Sequence, residues 1–213
     1  MSARAAIVIP IRSLSDGKTR LAAVLDPAAR SALTREMLDG VVRAAVETVS
    51  RAEVVVISPD PDALAEVERV DPAIRLLLQD PARPGLNSAL EQAAVVVRGM
   101  GVSTILILPA DLPLVSSADI DNLLRRDAPV VIAPDRHRTG TNALMVRLDA
   151  FGEPFVFQFG EGSFGKHQDE AARLGVDAMT ATAPGTSFDL DTPEDLAQLD
   201  AMRLPARVER VAR

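Results

Sequence analysis

Short apolar runs alternate with longer segments of helical periodicity along almost the whole chain. Residues 5–11, 53–58, 74–79, 104–108 and 129–133 read as strands, each apolar enough to be covered on both faces. Residues 142–148 read as a further strand, and a last one is expected around 187–190. Between them, Asp26-Pro27 opens a helix that runs to about Ser50, with Leu33, Met37, Val41 and Val42 on one stripe. Asp60-Pro61 opens the next, and helices over 86–100 and 117–126 follow. A glycine-rich turn leads into a helix over 162–174, and Thr192-Pro193-Glu194 opens the last one. Residues 204–213 are expected to be a frayed helix or loose coil. Repeated strand–helix units imply an α/β fold, a mixed, mostly parallel sheet flanked by helices. In such sheets ligands bind beyond the carboxyl ends of the strands, so the chemistry is sought in the loops there.

Composition narrows the function classes. The 213 residues are 47% hydrophobic and no linker-like stretch divides them, which implies one domain over 1–213. A net charge of −7 argues against a nucleic-acid partner, and 3% aromatic residues supply no stacking platform. Cysteine is absent, which removes disulfides, thiolate catalysis and Cys-ligated metal. No apolar run has membrane-spanning length, and the N-terminal run lacks a signal-peptide cleavage site. A cytoplasmic protein without a membrane partner is expected.

Two strand-end loops carry acids. LILPADLP places Asp111 just past an apolar strand, between Pro109 and Pro113. SFDLDTPEDL places Asp189 and Asp191 two apart, on one face of an extended chain. Carboxylates gathered at one edge repel unless a cation joins them, and Mg²⁺ held by one or two carboxylates plus phosphate oxygens suits such a set. The plainer alternative is that Asp191 caps the following helix and Asp111 caps a turn.

Two other loops are cationic: Arg12, Lys18 and Arg20 after the first strand, and Arg136, His137 and Arg138 after the fifth. Gly17-Lys18-Thr19 matches the end of a P-loop, but Arg12 stands where the first glycine would be required. Lys18 is therefore expected to grip phosphate through its side chain. Basic loops facing a carboxylate-bound cation make a polyphosphate site, with a solvated basic surface as the alternative. RTGTNAL (138–144) and FGEGSFGKH (159–167) add hydroxyls and backbone N–H groups, the second at a helix start that attracts anions. His167 reads more readily as a structural hydrogen-bonding group than as a catalyst.

IPIRSLSDGKTRLA, GLNSAL, LPADLPLV, APDRHRTGTNAL, FGEGSFGKHQDEA and SFDLDTPEDL, in that order, resemble the guanylyltransferases that build the 5-deazaflavin carrier coenzyme F-420. These act on 2-phospho-L-lactate or phosphoenolpyruvate. The resemblance implies a Rossmann-like nucleotidyltransferase fold of the nucleotide-diphospho-sugar transferase type, GTP as donor and Mg²⁺ as cofactor. It further implies that Asp111, Asp189 and Asp191 hold the metal, with Lys18 and Asp111 at the chemistry. Arg12, Lys18 and Arg20 would hold nucleotide phosphates, Gly85, Asn87 and Ser88 would lie near the guanosine, and Thr141, Gly160 and Ser163 would surround the acceptor. Relatives often carry lysine where Arg12 stands, and a planar guanidinium is no simple replacement.

Sister enzymes such as the molybdenum-cofactor guanylyltransferase open with a glycine-rich loop after the first strand, whereas this loop has Gly17 alone. A non-catalytic nucleotide-binding module would not need three carboxylates set against two basic loops. Phosphoenolpyruvate, 2-phospho-L-lactate and 3-phosphoglycerate all remain as acceptors, and a homodimer is left open.

Overall fold

The computed structural model describes residues 4–14 and 18–203, so Gly17 and the 204–213 tail lie outside the described residues. The strands are β1 (Ala5–Pro10), β2 (Glu53–Ser58), β3 (Arg75–Leu78), β4 (Thr104–Ile107), β5 (Val130–Pro134), β6 (Thr141–Arg147) and β7 (Ala178–Thr180). They form one sheet in the order β3-β2-β1-β4-β6-β5-β7. Every pairing is parallel except those of β6, which runs antiparallel to β4 and β5. That single reversal matters for function. It brings the first residue of β6, Thr141, to the edge where β1, β4 and β5 end.

The helices are α1 (Pro27–Val46), α2 (Pro61–Val70), α3 (Leu86–Gly99), α4 (Ser117–Leu124), α5 (Ser163–Arg173), the short α6 (Pro184–Ser187) and α7 (Pro193–Arg203). A 3-10 turn spans Thr19–Ala23. Period-two alternation along the strands divides the core between the two faces. Ile7 and Ile9 of β1 pack with Leu38 and Val41 of α1, Ala63 of α2 and Ile120 of α4. Ala6 and Val8 face the other way, with Ala89 and Leu90 of α3 and Phe164 and Ala171 of α5.

Local chemistry sets the helix starts much as the caps predict. The Asp26 carboxylate accepts from the Ala29 N–H at 2.8 Å, Asp60 from the Asp62 N–H at 3.0 Å, and Ser116 and Asp119 cap each other reciprocally. The first helix stops at Val46 rather than near Ser50. The buried Asp121 carboxylate of α4 takes the N–H groups of Val49 and Ser50 at 3.0 and 3.1 Å, drawing that stretch out of the helix.

Two expectations need correction, and one strand went unforeseen. β3 is an edge strand with Arg75 and Leu78 exposed, so it is not covered on both faces. β7, three residues long at the opposite edge, is too short to leave a periodic signal. The strand expected at 187–190 does not form. Pro184-Gly185 starts a helical turn, and the chain that follows is extended at Phe188 but pairs with no strand among the described residues. Phe188 and Leu190 are apolar because they enter a separate small core, not because they join the sheet.

Candidate active site

That small core builds the site. Leu21 of the 3-10 turn, Met37 of α1, Phe188, Leu190 and Leu199 of α7 are all buried together. The cluster clamps the turn after Lys18 against the 188–191 segment. A backbone bond from Leu190 N–H to the Asp111 carbonyl, 3.2 Å, fastens the same segment beside the β4 loop. Because Phe188 and Leu190 point into the cluster, Asp189 and Asp191 lie on the opposite side of the extended chain, as their spacing predicts.

Lys18 occupies the centre. Its Nζ lies 3.1 Å from Asp111 Oδ2 and 2.9 Å from Asp191 Oδ1, and its side chain is only 10% exposed. Burial alone would push the ammonium down, but Asp111 and Asp191 outweigh it and hold Lys18 above its ordinary value of 10.5. Its backbone is left-handed, with φ 56°, a conformation non-glycine residues adopt rarely. Arg20 reaches Asp191 more loosely, at 3.9 Å, from a largely exposed position. Arg12 is also exposed and lines an open cleft of about 670 Å³ with Ser13, Pro59, Asp60 and Pro61.

Asp189 sits deeper. The Asn142 amide donates to its Oδ1 at 3.3 Å. Burial pushes the Asp189 carboxyl above its ordinary 3.8; the Asn142 bond pulls it down, and the charges of Asp111 and Asp191 add to the rise. Among the described residues no three Asp, Glu or His side chains form a ready-made metal cage. What the carboxylates do form is an oxygen-rich edge with mutual repulsion, already partly relieved by one ammonium. Such a donor set fits a hard cation taken up by one or two carboxylates together with ligand oxygens, the usual manner for Mg²⁺.

Asp191 is not the cap of the last helix. Thr192 fills that position: its Oγ1 accepts from the Asp195 N–H at 3.3 Å, and Asp195 Oδ2 accepts from the N–H groups of Asp191 and Thr192 at 2.9 and 2.8 Å. Asp191 is thereby left to pair with Lys18. The second basic loop is partly spent on this scaffold. Arg136 pairs with buried Asp195 and lies over the Phe188 ring, 5.0 Å from its centroid, while Arg138 lies 5.3 Å from that of Phe164.

The glycine turns occupy the rest of the edge. Gly85 caps α3 with φ 101°, a region nearly closed to other residues, and no side chain caps that helix. Among the described residues the N–H groups of Leu86, Asn87 and Ser88 have no partner, so this helix start presents free donors. The Asn87 side chain is committed elsewhere. Its Oδ1 accepts from the Phe159 N–H at 2.8 Å and its Nδ2 donates to the Phe159 carbonyl at 3.1 Å. Gly160, with φ 120°, follows directly, and Ser163 opens α5, buried, with no partner for its hydroxyl among the described residues. Thr141 Oγ1 is buried against His167 Nδ1 at 3.0 Å.

The structure thus gathers Lys18, Arg20, Asp111, Asp189 and Asp191 into one cluster. It joins Asn87 to the Gly160 turn as a second, and keeps Arg12 on the flank. Sequence reasoning missed Asn142 and Asp195. Asn142 lay inside the quoted TGTNAL stretch, and a neighbour of Thr141 on a strand must face the opposite side, which could have flagged it. Asp195, four residues after Asp191, carried only the spacing of a cap.

The model of the family described as guanylyl transferase CofC like matches residues 5–202. The phosphoenolpyruvate guanylyltransferase of Rubrobacter xylanophilus is 43% identical over 197 residues, covering 91% of this chain and 92% of that protein. The enzyme of the same name from Chloroflexus aggregans is 38% identical, covering 94% and 98%. Among solved structures, one described as a nucleotide-diphospho-sugar transferase of Desulfovibrio desulfuricans G20 superposes with a TM-score of 0.78 at 15% identity. It covers 98% of this chain and 91% of that one. At that identity the likeness speaks for the fold, which is of the nucleotidyltransferase type.

Proposed function

We propose that this chain, which belongs to the CofC-like guanylyl transferases, transfers GMP from GTP to the phosphate of phosphoenolpyruvate and releases pyrophosphate, a step in making coenzyme F-420. The acceptor is inferred from the names of its relatives. The observation that carries the reading is Lys18, buried between Asp111 and Asp191 at the carboxyl edge of the sheet. No structural demand explains an ammonium and two carboxylates there, beside a half-buried third.

The acceptor phosphate is already ionised near pH 7, so the reaction needs no strong base. An oxygen of that phosphate attacks the α-phosphorus of GTP while the bond to the β-phosphate oxygen breaks, leaving pyrophosphate. The work left to the protein is alignment and charge neutralisation. Lys18, with Arg20 and Arg12 outside it, stabilises negative charge on the departing phosphates. The open N–H groups at the start of α3 are suited to the nucleoside end of GTP. Thr141, the Gly160 turn and Ser163 hold the acceptor acid. Asp111, Asp189 and Asp191 would hold Mg²⁺, which when bound neutralises phosphate charge and orients the oxygens.

The test is mass spectrometry of the products after incubation with GTP, Mg²⁺ and, in turn, phosphoenolpyruvate, 2-phospho-L-lactate and 3-phosphoglycerate. The expected product is the guanylylated enolpyruvate diphosphate, formed faster than either alternative adduct. Pyrophosphate release with none of the three would remove the reading. Faster turnover with one of the other acids would replace the acceptor and keep the reaction.

A further inference from the structure

The imidazole of His167 is fully buried and touches two separate elements of the edge. Its Nε2 lies 3.1 Å from the backbone nitrogen of Gln158, and its Nδ1 lies 3.0 Å from Thr141 Oγ1. A backbone N–H can only donate, so Nε2 must be the unprotonated nitrogen. Burial keeps the ring neutral, holding its pKa down to about 4 from an ordinary 6.5. The single ring proton therefore sits on Nδ1 and is donated to Thr141 Oγ1. Thr141's own hydroxyl proton must then point away from the ring.

Residues 154–159, which lead into Gly160, form neither helix nor strand. This strap is held by side chains in place of a ladder. Its N–H groups at Val156, Gln158 and Phe159 are taken by Glu170 Oε1 at 2.8 Å, His167 Nε2 at 3.1 Å and Asn87 Oδ1 at 2.8 Å. Phe155 and Phe157 anchor it in the core, and the Phe159 ring meets the imidazole edge-on at 4.8 Å. Glu170 is itself fixed by Arg173, both of whose contacting nitrogens lie 2.8 Å from its carboxylate.

We propose that His167 is a positioning residue of the acceptor pocket: it locks the strap that carries Gly160 to the strand that carries Thr141, and presents Thr141's hydroxyl as a donor to the bound acid. The proposal rests on the reading that Thr141, Gly160 and Ser163 surround the acceptor. A purely structural histidine would affect stability alone. A positioning one moves the KM of the acceptor while GTP binding stays put.

Four measurements test this. In His167→Phe the ring shape remains and both polar links vanish; the KM for phosphoenolpyruvate should rise about tenfold or more, with the Kd for GTP by calorimetry unchanged. His167→Gln, whose amide keeps one acceptor and one donor, should recover most of the loss. Combining His167→Phe with Thr141→Val should cost little more than either alone, because both break one link. On the unaltered protein, ¹⁵N resonances of the imidazole should show a proton on Nδ1 and none on Nε2, a result independent of whether any variant folds. The Nε2-protonated tautomer, an unchanged acceptor KM in a folded His167→Phe protein, or multiplicative effects with Thr141→Val would each overturn the proposal. If Thr141→Val raises the acceptor KM and His167→Phe does not, the pocket stands and His167's role falls. If Thr141→Val and Ser163→Ala both leave it unchanged, the pocket reading fails and takes this inference with it.

Discussion

Acidification should destabilise the protein in a window that belongs to His167. An imidazole that titrates near 6.5 in the unfolded chain and about 4 in the folded one binds its proton mainly when unfolded. Between those values the unfolded state holds more protons, so stability is complete above about pH 6.5 and falls as pH drops toward 4. At pH 5 the two pKa values give a loss of about 2 kcal/mol relative to pH 8. For a domain of this size that is a fall in Tm of roughly 4–8 °C. The charges acting on the ring, after burial itself, are Glu170, which favours the proton, and Lys166, which opposes it. Of the other resolved shifts, that of Asp189 overlaps this window and opposes the effect of His167. Asp121, Asp135, Asp195 and Glu170 have pKa values below their ordinary 3.8 or 4.5, so their contributions are present above those values and lost at lower pH. Asp189, raised, contributes with the opposite sign, and Lys18, raised above 10.5, loses its contribution only in alkali. Thermal melts followed by circular dichroism at pH 8, 6.5 and 5 measure the effect, and His167→Gln should flatten it. A Tm independent of pH from 8 to 5, or an equal fall in His167→Gln, would refute the argument.

Three further outcomes follow from the site. Asp111→Asn should fold normally and lose turnover by about a thousandfold, the equivalent of about 4 kcal/mol of lost stabilisation at a phosphate-bridging cation; near-normal steady-state activity would exclude Asp111 from the chemistry. Lys18→Ala removes the ammonium from between Asp111 and Asp191 and should lower kcat/KM for GTP by about a hundredfold or more, read in a pyrophosphate-release assay. Leu21→Ala, three residues along the same segment but wholly buried, should instead cost about 2–5 kcal/mol in denaturant unfolding, with GTP kinetics retained in the fraction that folds.

Much of this architecture was legible because several helix starts carry their own local chemistry. Asp26-Pro27, Asp60-Pro61 and Thr192-Pro193-Glu194 announce helix starts that need no tertiary context. The acids were legible for a similar reason: an aspartate directly after the apolar run ending at Leu108 has few structural duties. What failed depended on distant partners. Phe188 and Leu190 have the alternation of a strand, yet their burial is supplied by Leu21, Met37 and Leu199, which no local pattern reveals. Asn87, which the resemblance places near the guanosine, also holds the backbone of Phe159, 72 positions away, a pairing that no local pattern reveals. Arg136 looked like a free cation until the fold brought Asp195 to it.

The reversed strand β6 explains how two kinds of chemistry meet at one edge. Thr141 and Asn142 are neighbours, so their side chains leave opposite faces of the sheet. Thr141 turns toward α5 and meets His167; Asn142 turns the other way and meets Asp189. A parallel strand at this place would send its amino end to the far side of the sheet and separate both contacts from the ends of β1 and β4. Because β6 is antiparallel to β4, the same two residues lie just beyond Ile107, on the side where Asp111 follows. One strand end therefore fixes both the hydroxyl proposed for the acceptor and a carboxylate of the cluster proposed for the metal. Under the proposed function, a single rigid element would set the distance between the two reactants, which is what a direct transfer between two phosphates most requires.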